Sequence, residues 1–151
     1  MSVKWVWLDC DGTWIDLYGV QDWKKKLNNK DSSPYRDAKP LVNLSAFAKT
    51  IHQLQAKNIK VGIITWLPKN STKKYDNVVT KEKLKYLQKH LPSVVFDKIH
   101  ILPYGTSKSL YGQGILFDDE LNNRKDWGLL AFNEKHLLKN LKKIIKLFGQ
   151  N

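Results

Sequence analysis

The sequence predicts an α/β domain in which about five parallel strands form one sheet with helices on both faces. Short apolar runs rich in β-branched and aromatic residues alternate with longer segments whose apolar residues recur at helical spacing. No repeat or low-complexity linker divides the 151 residues, and 42% of them are apolar, as in a globular protein. Because strands joined through helices pair in parallel, we expect a single domain over residues 1–151.

The first third of the chain predicts a strand, an insert and a helix. Residues 3–8 (VKWVWL) form a β-branched and aromatic run that ends abruptly at Asp9. Residues 14–42 are polar and contain glycine and proline, so they predict an irregular insert, which we call the flap. A helix is predicted over residues 44–56. Its apolar face should carry Leu44, Phe47, Ala48, Ile51 and Leu54.

The middle of the chain predicts a strand, a polar loop and a second helix. Residues 60–64 (KVGII) form a short strand that ends at Thr65, and residues 69–74 form the loop. The helix is predicted over residues 78–91, where Pro92 stops it. Its inward face should carry Val78, Leu84, Leu87 and Leu91.

Three more strands and a helix complete the prediction. The strands cover residues 98–102 (KIHIL), 114–117 (GILF) and 129–132 (LLAF). Residues 134–148 form a basic amphipathic helix, a pattern that suits a membrane surface, nucleic acid or the cover of a sheet. We favour the last interpretation. The covering residues would be Leu137, Leu138, Leu141, Ile144, Ile145 and Phe148.

Targeting and redox features favour a cytoplasmic location without a membrane span. The N-terminal segment meets carboxylates within nine residues, unlike a signal peptide, and no apolar run approaches the roughly 20 residues of a membrane helix. The single cysteine, Cys10, permits no intramolecular disulfide. Its acidic neighbours should raise the thiol pKa, so we expect a buried small residue and not a nucleophile. We expect a monomer or a weak homodimer.

Polar residues follow the predicted strands where each strand ends or shortly beyond. They are Asp9 and Asp11 after the first strand, Thr65 after the second, Lys108 beyond the third, and Asp118 and Asp119 after the fourth. Because ligands bind at the carboxyl ends of parallel strands, these side chains should meet at one edge of the sheet. Four carboxylates repel one another unless a hard cation such as Mg²⁺ lies among them. A lysine and a hydroxyl beside that metal suit a phosphate group.

Such a site divides its chemistry between two carboxylates. One can act as a nucleophile, and a second can supply and remove protons. Gly12 permits a close backbone turn beside the substrate. Two assignments have alternatives: Lys69 competes with Lys108 as the active-site lysine, and Glu120 competes with Asp119 as the last acid.

These positions resemble the four motifs of the haloacid dehalogenase (HAD) superfamily. The string VWLDCDGTWID is similar to the first motif, in which D-x-D-G-T follows an apolar strand. Thr65, which closes VGIIT, matches the Ser/Thr of the second motif, and Lys108 matches the lysine of the third. Asp118 and Asp119, which close GILFDD, match the paired acids of the fourth. The matches occur in order over residues 3–133 and imply a Rossmann-like HAD core.

The resemblance implies a role for each position. Asp9 would be the nucleophile that forms a phospho-aspartate, and Asp11 would be the general acid and then the general base. Asp119 would orient Lys108 or a water on the metal. The Mg²⁺ ligands would be Asp9, Asp11 through its backbone carbonyl, Asp118 and Asp119. The substrate phosphate would contact Gly12, Thr13, Thr65, Trp66 and Lys108.

Two features of the resemblance bear on the substrate. Lys108 precedes the DD pair by ten positions, a spacing similar to that of 5′(3′)-deoxyribonucleotidases, and the pair also resembles the 3′-phosphatase domain of polynucleotide kinases. By this resemblance the flap of residues 14–42 would be a minimal cap, shorter than the deoxyribonucleotidase cap, which implies an open site for a large substrate or a lid from a partner. The net charge of +12 has two interpretations of equal weight. It indicates either a polyanionic partner such as nucleic acid or a lysine-rich surface that is simply solvated.

We predict a Mg²⁺-dependent phosphomonoesterase that acts on nucleotides or nucleic-acid ends. The alternatives are a phosphatase of sugar phosphates or other small metabolites, and a non-catalytic nucleic-acid-binding module on a HAD scaffold. Intact acids at Asp9, Asp11 and Asp118 favour an active enzyme. Among the aromatic residues of the flap, Trp14 is expected to pack against the domain. Tyr18, Trp23 and Tyr35 either pack in the same way or stack on a base.

Overall fold

A computed structural model of the protein describes residues 3–150. The strands are β1 (Trp5–Leu8), β2 (Ile15–Asp16), β3 (Lys39–Pro40), β4 (Lys60–Trp66), β5 (Lys98–Leu102), β6 (Ile115–Phe117) and β7 (Ala131–Phe132). The helices are α1 (Trp23–Asn28), α2 (Ser33–Asp37), α3 (Leu44–Ala56), α4 (Lys73–His90), α5 (Leu121–Trp127) and α6 (Leu137–Phe148), with 3₁₀ helices at Leu17–Gly19 and Lys108–Leu110. Five strands form one parallel sheet in the order β5-β4-β1-β6-β7. The predicted Rossmann-like α/β fold is confirmed.

The two faces of the sheet are covered unequally. Helices α3, α4 and α6 pack against one face, around a core that includes Leu8, Ile63 and Phe117 from the strands. The opposite face carries Trp7, and α5 reaches it through Trp127. Trp7 pairs with Gly62 in the register of β1 and β4, and a Cβ at Gly62 would collide with the indole ring.

The position of β1 determines where the sheet opens. The chain runs from β1 to β4 and β5 on one side, and later adds β6 and β7 on the other. Connections that leave a strand in opposite directions create a crevice at its carboxyl end, where ligands bind in open α/β sheets. The crevice here lies at the end of β1, between β4 and β6.

Most predicted elements are present, some with shifted ends. Helix α3 and strand β5 have the predicted bounds, whereas β1, β6, β7 and α6 begin one to three residues later than predicted. Strand β4 extends to Trp66 because Thr65 and Trp66 still pair with β5. Thr65 therefore lies inside the strand, although the sequence predicted it at the end. Helix α5 was not predicted.

Helix α4 differs most from its prediction. It begins at Lys73 and not at residue 78, because the Thr72 Oγ1 accepts a hydrogen bond from the Tyr75 N–H at 3.2 Å and caps the helix. The prediction that Val78 and Leu84 face the core is wrong, since they are 40% and 43% exposed. The buried residues are Tyr75, Val79, Lys83, Tyr86 and Leu87. Lys83 is buried on this face because its ammonium group forms an ion pair with the carboxylate of Asp11.

The flap of residues 14–42 is not irregular as predicted. It contains the antiparallel pair of β2 and β3 and the short helices α1 and α2, and α2 packs against α4. Trp14 is fully buried, with its ring 5.2 Å from that of Phe47 and 6.0 Å from that of Tyr86. The predicted packing role of Trp14 is confirmed, and it ties the flap to the domain core.

Helix α6 covers the sheet as predicted. Leu137, Leu141 and Ile144 are buried in the main core, and the helix packs against α3. Leu138, Ile145 and Phe148 are partly buried against the same core. None of the helices within residues 3–150 combines the length and the apolar character that crossing a bilayer requires.

Candidate active site

The backbone places Asp9 and Asp118 side by side at the crevice. The N–H of Asp9 donates to the carbonyl oxygen of Phe117 at 3.0 Å, and the N–H of Asp118 donates to that of Phe132 at 3.0 Å. These bonds continue the parallel ladder for one residue beyond β1 and β6. Each carboxylate therefore leaves its strand at the same edge of the sheet, and both are buried.

Lys108 joins the two carboxylates. It opens the 3₁₀ helix beyond β5, and its Nζ lies 2.9 Å from Asp9 Oδ1 and 2.6 Å from Asp118 Oδ2. The residue is only 2% exposed. Burial lowers the pKa of Lys108, but the charges of Asp9 and Asp118 outweigh it and raise the pKa above its ordinary value. The two carboxylates therefore favour the ammonium form of Lys108.

Three carboxylates form an acidic cluster beside Lys108. Oxygen atoms of Asp9, Asp118 and Asp119 lie within 4.8 Å of one another. Burial raises the pKa values of Asp118 and Asp119, and the negative charge of Asp9 raises them further. One lysine cannot neutralise three carboxylates, so the cluster favours a further cation. Carboxylate oxygens are ligands that suit Mg²⁺, and two of the three acids here, Asp9 and Asp118, are buried.

Thr13 and Gly12 organise the acidic cluster. Thr13 Oγ1 lies 2.9 Å from Asp9 Oδ2 and 3.2 Å from Asp119 Oδ1, and it accepts a hydrogen bond from the Asp119 N–H at 3.2 Å. Gly12 has a φ of +80°, and a Cβ there would collide with the Asp119 carboxylate. Position 12 therefore requires glycine both for its backbone conformation and for space.

The first turn of α5 surrounds Asp118. The Glu120 N–H donates to Asp118 Oδ1 at 2.9 Å, and the Asn123 side-chain amide donates to Asp118 Oδ2 at 3.1 Å. Arg124 Nη1 donates to the Asp118 backbone carbonyl at 2.9 Å. Neither Asn123 nor Arg124 was predicted as a site residue, because α5 itself was not predicted. The acidic side chain of Glu120 lines the cavity described below.

Asp11 lies beside the cluster and pairs with a second buried lysine. Lys83 Nζ donates to Asp11 Oδ2 at 2.7 Å and to Thr65 Oγ1 at 3.0 Å. Burial raises the pKa of Asp11 although the charge of Lys83 opposes this effect. Lys83 was not predicted as a site residue. The available signal was its spacing of four residues from both Val79 and Leu87, which places a lysine within an apolar helix face.

A cavity of about 550 Å³ opens at this edge of the sheet. Its lining includes Asp9, Asp11, Thr65, Lys108 and residues of the flap. Two aromatic pairs also line it: the rings of Tyr18 and Trp23 lie 4.9 Å apart, and those of Trp66 and Tyr104 also lie 4.9 Å apart.

Of the residues predicted to bind phosphate, Thr65, Trp66 and Lys108 line this cavity, whereas Gly12 and Thr13 lie in the turn after β1 and are not part of the lining. The Trp66 ring centre lies 5.4 Å from Lys108 Nζ. Thr65 lies beside Asp11 through the shared partner Lys83. Lys69, the alternative to Lys108, is exposed and lies over Tyr104, with its Nζ 5.9 Å from the ring centre. The buried contact with Asp9 therefore belongs to Lys108, and Lys69 lies in the cavity lining.

Cys10 is buried between the two acids of the first motif. Burial raises the pKa of its thiol to about 12, so the sulfur is not a thiolate at neutral pH. The prediction of a small buried residue is confirmed.

Comparisons with known proteins bear on the fold. No protein-family model and no curated protein sequence matches the chain. The structure is similar to the crystal structure of D,D-heptose 1,7-bisphosphate phosphatase from Burkholderia thailandensis, with a TM-score of 0.53 and 14% sequence identity. The similarity covers 85% of this chain and 74% of that one. At this identity the comparison supports the Rossmann-like α/β fold, and the chemistry must be argued from the side chains.

Proposed function

We propose that the protein is a metal-dependent phosphomonoesterase of the HAD type that transfers a phosphoryl group onto Asp9. The observation that carries the proposal is the buried bridge from Lys108 to Asp9 and Asp118, with Asp11 two residues beyond Asp9. This arrangement provides a held nucleophile, a cation beside it, and a second acid whose pKa is raised. The similar solved structure is itself named as a phosphatase, which supports the reaction class.

Asp9 is held so that one of its oxygens can attack phosphorus. Lys108 bonds to Oδ1 and Thr13 lies within hydrogen-bond distance of Oδ2, which restricts rotation of the carboxylate. In the first step, a bond forms between an Asp9 oxygen and phosphorus while the bond from phosphorus to the leaving oxygen breaks. Protonated Asp11 gives its proton to the leaving oxygen.

The second step regenerates both acids. A water molecule attacks the phosphorus of the phospho-aspartate, and the bond between phosphorus and the Asp9 oxygen breaks. The Asp11 carboxylate takes a proton from the attacking water, so Asp11 returns to its protonated form and inorganic phosphate leaves. The raised pKa of Asp11 suits a group that must hold a proton in one step and accept one in the next.

The remaining groups of the site would stabilise the negative charge of the phosphate. Mg²⁺, when held by Asp9, Asp118, Asp119 and the backbone carbonyl of Asp11, would neutralise the negative charge of the phosphate. Thr65 Oγ1 accepts a hydrogen bond from Lys83, so the Thr65 hydroxyl proton can be donated to a phosphoryl oxygen. We also propose that the phosphate contacts the ring of Trp66 and the backbone of the Gly12–Thr13 turn.

The substrate class that we propose is a nucleotide or a nucleic-acid terminal phosphate. The aromatic pairs Tyr18–Trp23 and Trp66–Tyr104 line the cavity and offer ring faces for a base. Lys24 and Lys69 also line it and suit additional phosphates. The net charge of +12 supports a polyanionic partner.

A second candidate is a phosphatase of sugar phosphates. The similar solved structure is named for a heptose bisphosphate, and aromatic rings also stack on sugars. The polar groups of the lining, such as Asn28, Asn70 and Asn123, suit hydroxyl groups. We place this candidate second because the lysines of the lining and the overall charge favour a more anionic ligand.

A substrate panel tests both candidates together. Release of inorganic phosphate is measured with Mg²⁺ for deoxynucleoside monophosphates, 3′-phosphorylated oligonucleotides and sugar mono- and bisphosphates. Our proposal expects turnover, with the nucleotide group ahead of the sugar group. Preference for a sugar phosphate would replace the substrate class and keep the mechanism. Salt-dependent binding of DNA without turnover of any phosphomonoester would favour the non-catalytic module.

A further inference from the structure

Lys83 connects three separate parts of the active-site region. It lies in the middle of α4 and is 7% exposed. Its Nζ donates to Asp11 Oδ2 at 2.7 Å, beyond β1, and to Thr65 Oγ1 at 3.0 Å, in β4. The same atom lies 5.0 Å from the ring centre of Tyr35 in the flap. One ammonium group therefore contacts the proposed acid, the proposed phosphate-binding hydroxyl and the flap.

Packing alone does not explain a lysine at this position. Burying an ammonium group has a large desolvation cost, and replacing a buried ion pair by apolar side chains often leaves stability unchanged or increases it. Val79 and Leu87 lie one helical turn before and after Lys83 on the same buried face, so an apolar residue would continue that face. The buried ammonium group of Lys83 therefore indicates a role in the functions of Asp11 and Thr65.

We infer that Lys83 is a positioning residue that fixes the carboxyl group of Asp11 for proton transfer to the leaving oxygen. This inference rests on the proposed phosphatase function. Lys83 holds one oxygen of Asp11, and Asp11 also lines the cavity in which the substrate would bind. Because the same ammonium holds Thr65, it also sets the distance between the proton donor and a phosphate-binding hydroxyl. Lys108 holds the proposed nucleophile Asp9, and Lys83 holds the proposed acid Asp11.

This role predicts a dependence on the leaving group. When phosphorus transfers to Asp9, an alkoxide leaving oxygen needs the proton of Asp11, whereas 4-nitrophenolate leaves readily without it. Loss of the orienting lysine should therefore slow an alkyl phosphate much more than an aryl phosphate. The quantity to compare is kcat/KM, since it reports the steps up to formation of the phospho-aspartate and excludes its hydrolysis.

The experiment compares Lys83→Met with two controls on the same helix, Lys81→Met and Lys85→Met, whose side chains are exposed. The probes are β-glycerophosphate and 4-nitrophenyl phosphate. In Lys83→Met, kcat/KM should fall about 100-fold for β-glycerophosphate and less than about 5-fold for 4-nitrophenyl phosphate. The controls should keep the wild-type ratio of the two substrates.

A double-mutant cycle tests whether Lys83 acts through Asp11. With β-glycerophosphate, the Asp11→Asn variant and the Asp11→Asn, Lys83→Met double variant should agree within about 3-fold, because the lysine has no acid left to orient and only its hydrogen bond to Thr65 remains to be lost. Losses that multiply, or equal losses for both probes, would show that Lys83 binds phosphate or supports the fold, and either result overturns the inference.

Two further measurements distinguish a misfolded variant from a protein that is not a phosphatase. Thermal unfolding identifies a Lys83→Met variant that does not fold, and Lys83→Gln then takes its place in the same measurements with a smaller expected change of ratio. An unchanged ratio in the variant that folds overturns the inference while the phosphatase function stands. Absence of phosphomonoesterase turnover in the wild-type protein overturns both.

Discussion

The ammonium group of Lys108 donates a hydrogen bond to Asp9 Oδ1 at 2.9 Å although 99 positions separate the two residues in the sequence. The same group bonds to Asp118 Oδ2 at 2.6 Å. A single buried cation is thus shared by the proposed nucleophile and a proposed metal ligand. The sharing explains how Asp9 and Asp118 can lie together inside the protein before a metal binds.

Asp9→Asn should abolish turnover and leave the fold intact. The amide has nearly the shape of the carboxylate but cannot form a phospho-aspartate, so kcat should fall by about 10⁴-fold or more. Phosphate release measures the loss, and circular dichroism checks the fold. Asp37→Asn, an exposed acid paired with Arg36, is the matched control and should keep full activity.

A phosphate analogue gives an independent test of the same residue. Beryllofluoride should bind at the Asp9 carboxylate in crystals of the wild-type protein and should not bind in the Asp9→Asn variant. Normal activity in the Asn variant would refute the nucleophile assignment.

Activity should require Mg²⁺ and stop in EDTA. Three acids with oxygens within 4.8 Å of one another need a cation beyond Lys108, and Asp118 is the most buried of them. Calorimetric titration of Mg²⁺ should show the weakest binding in Asp118→Asn, with Asp119→Asn between that variant and the wild type. Undiminished turnover in excess chelator would rule out the metal assignment.

The metal-free protein should lose stability as the pH rises. Burial raises the pKa of Asp118 to about 6 and that of Asp119 to about 8, so both bind protons more tightly in the folded than in the unfolded state. Their contribution to the free energy of unfolding therefore falls from about pH 4 to about pH 8. Urea unfolding in chelator should show a flatter pH dependence for Asp119→Asn than for the wild type.

Added Mg²⁺ provides the control for the pH prediction. A bound cation favours the ionised carboxylates, so it should restore stability at pH 8 in the wild type and less in Asp119→Asn. Identical pH curves for the two proteins in chelator would contradict the raised pKa of Asp119.

A 3′-phosphorylated oligonucleotide should have a higher kcat/KM than a mononucleotide at low ionic strength. A flap as short as residues 14–42 should leave room for a larger substrate, and 26 Lys and Arg against 14 Asp and Glu should attract a polyanion at long range. The advantage should shrink at high salt because the attraction is screened. Both substrates are measured at two salt concentrations, and preference for the mononucleotide at both would identify a nucleotidase-like pocket.

Most of the fold, and the proximity of the acids Asp9 and Asp118 in the site, could be predicted from the sequence. The apolar runs and the helical spacing of residues such as Phe47 and Ile51 depend on local periodicity, which the chain displays directly. Asp9 and Asp118 follow apolar runs, and parallel strands bring their carboxyl ends to one edge whatever the loops do. The proximity of these two acids could therefore be predicted without knowledge of side-chain packing.

The resemblance predicted Lys108 at the site with Lys69 as its alternative, and only the tertiary structure decided between the two and added Lys83. Lys69, Lys83 and Lys108 have the same side chain, and local sequence gives a strong reason to place each in water. Lys108 and Lys83 are buried because each meets a carboxylate from a distant segment, at sequence separations of 99 and 72 residues. A buried charge is stable only with such a partner, and partners that far apart are brought together by the whole fold.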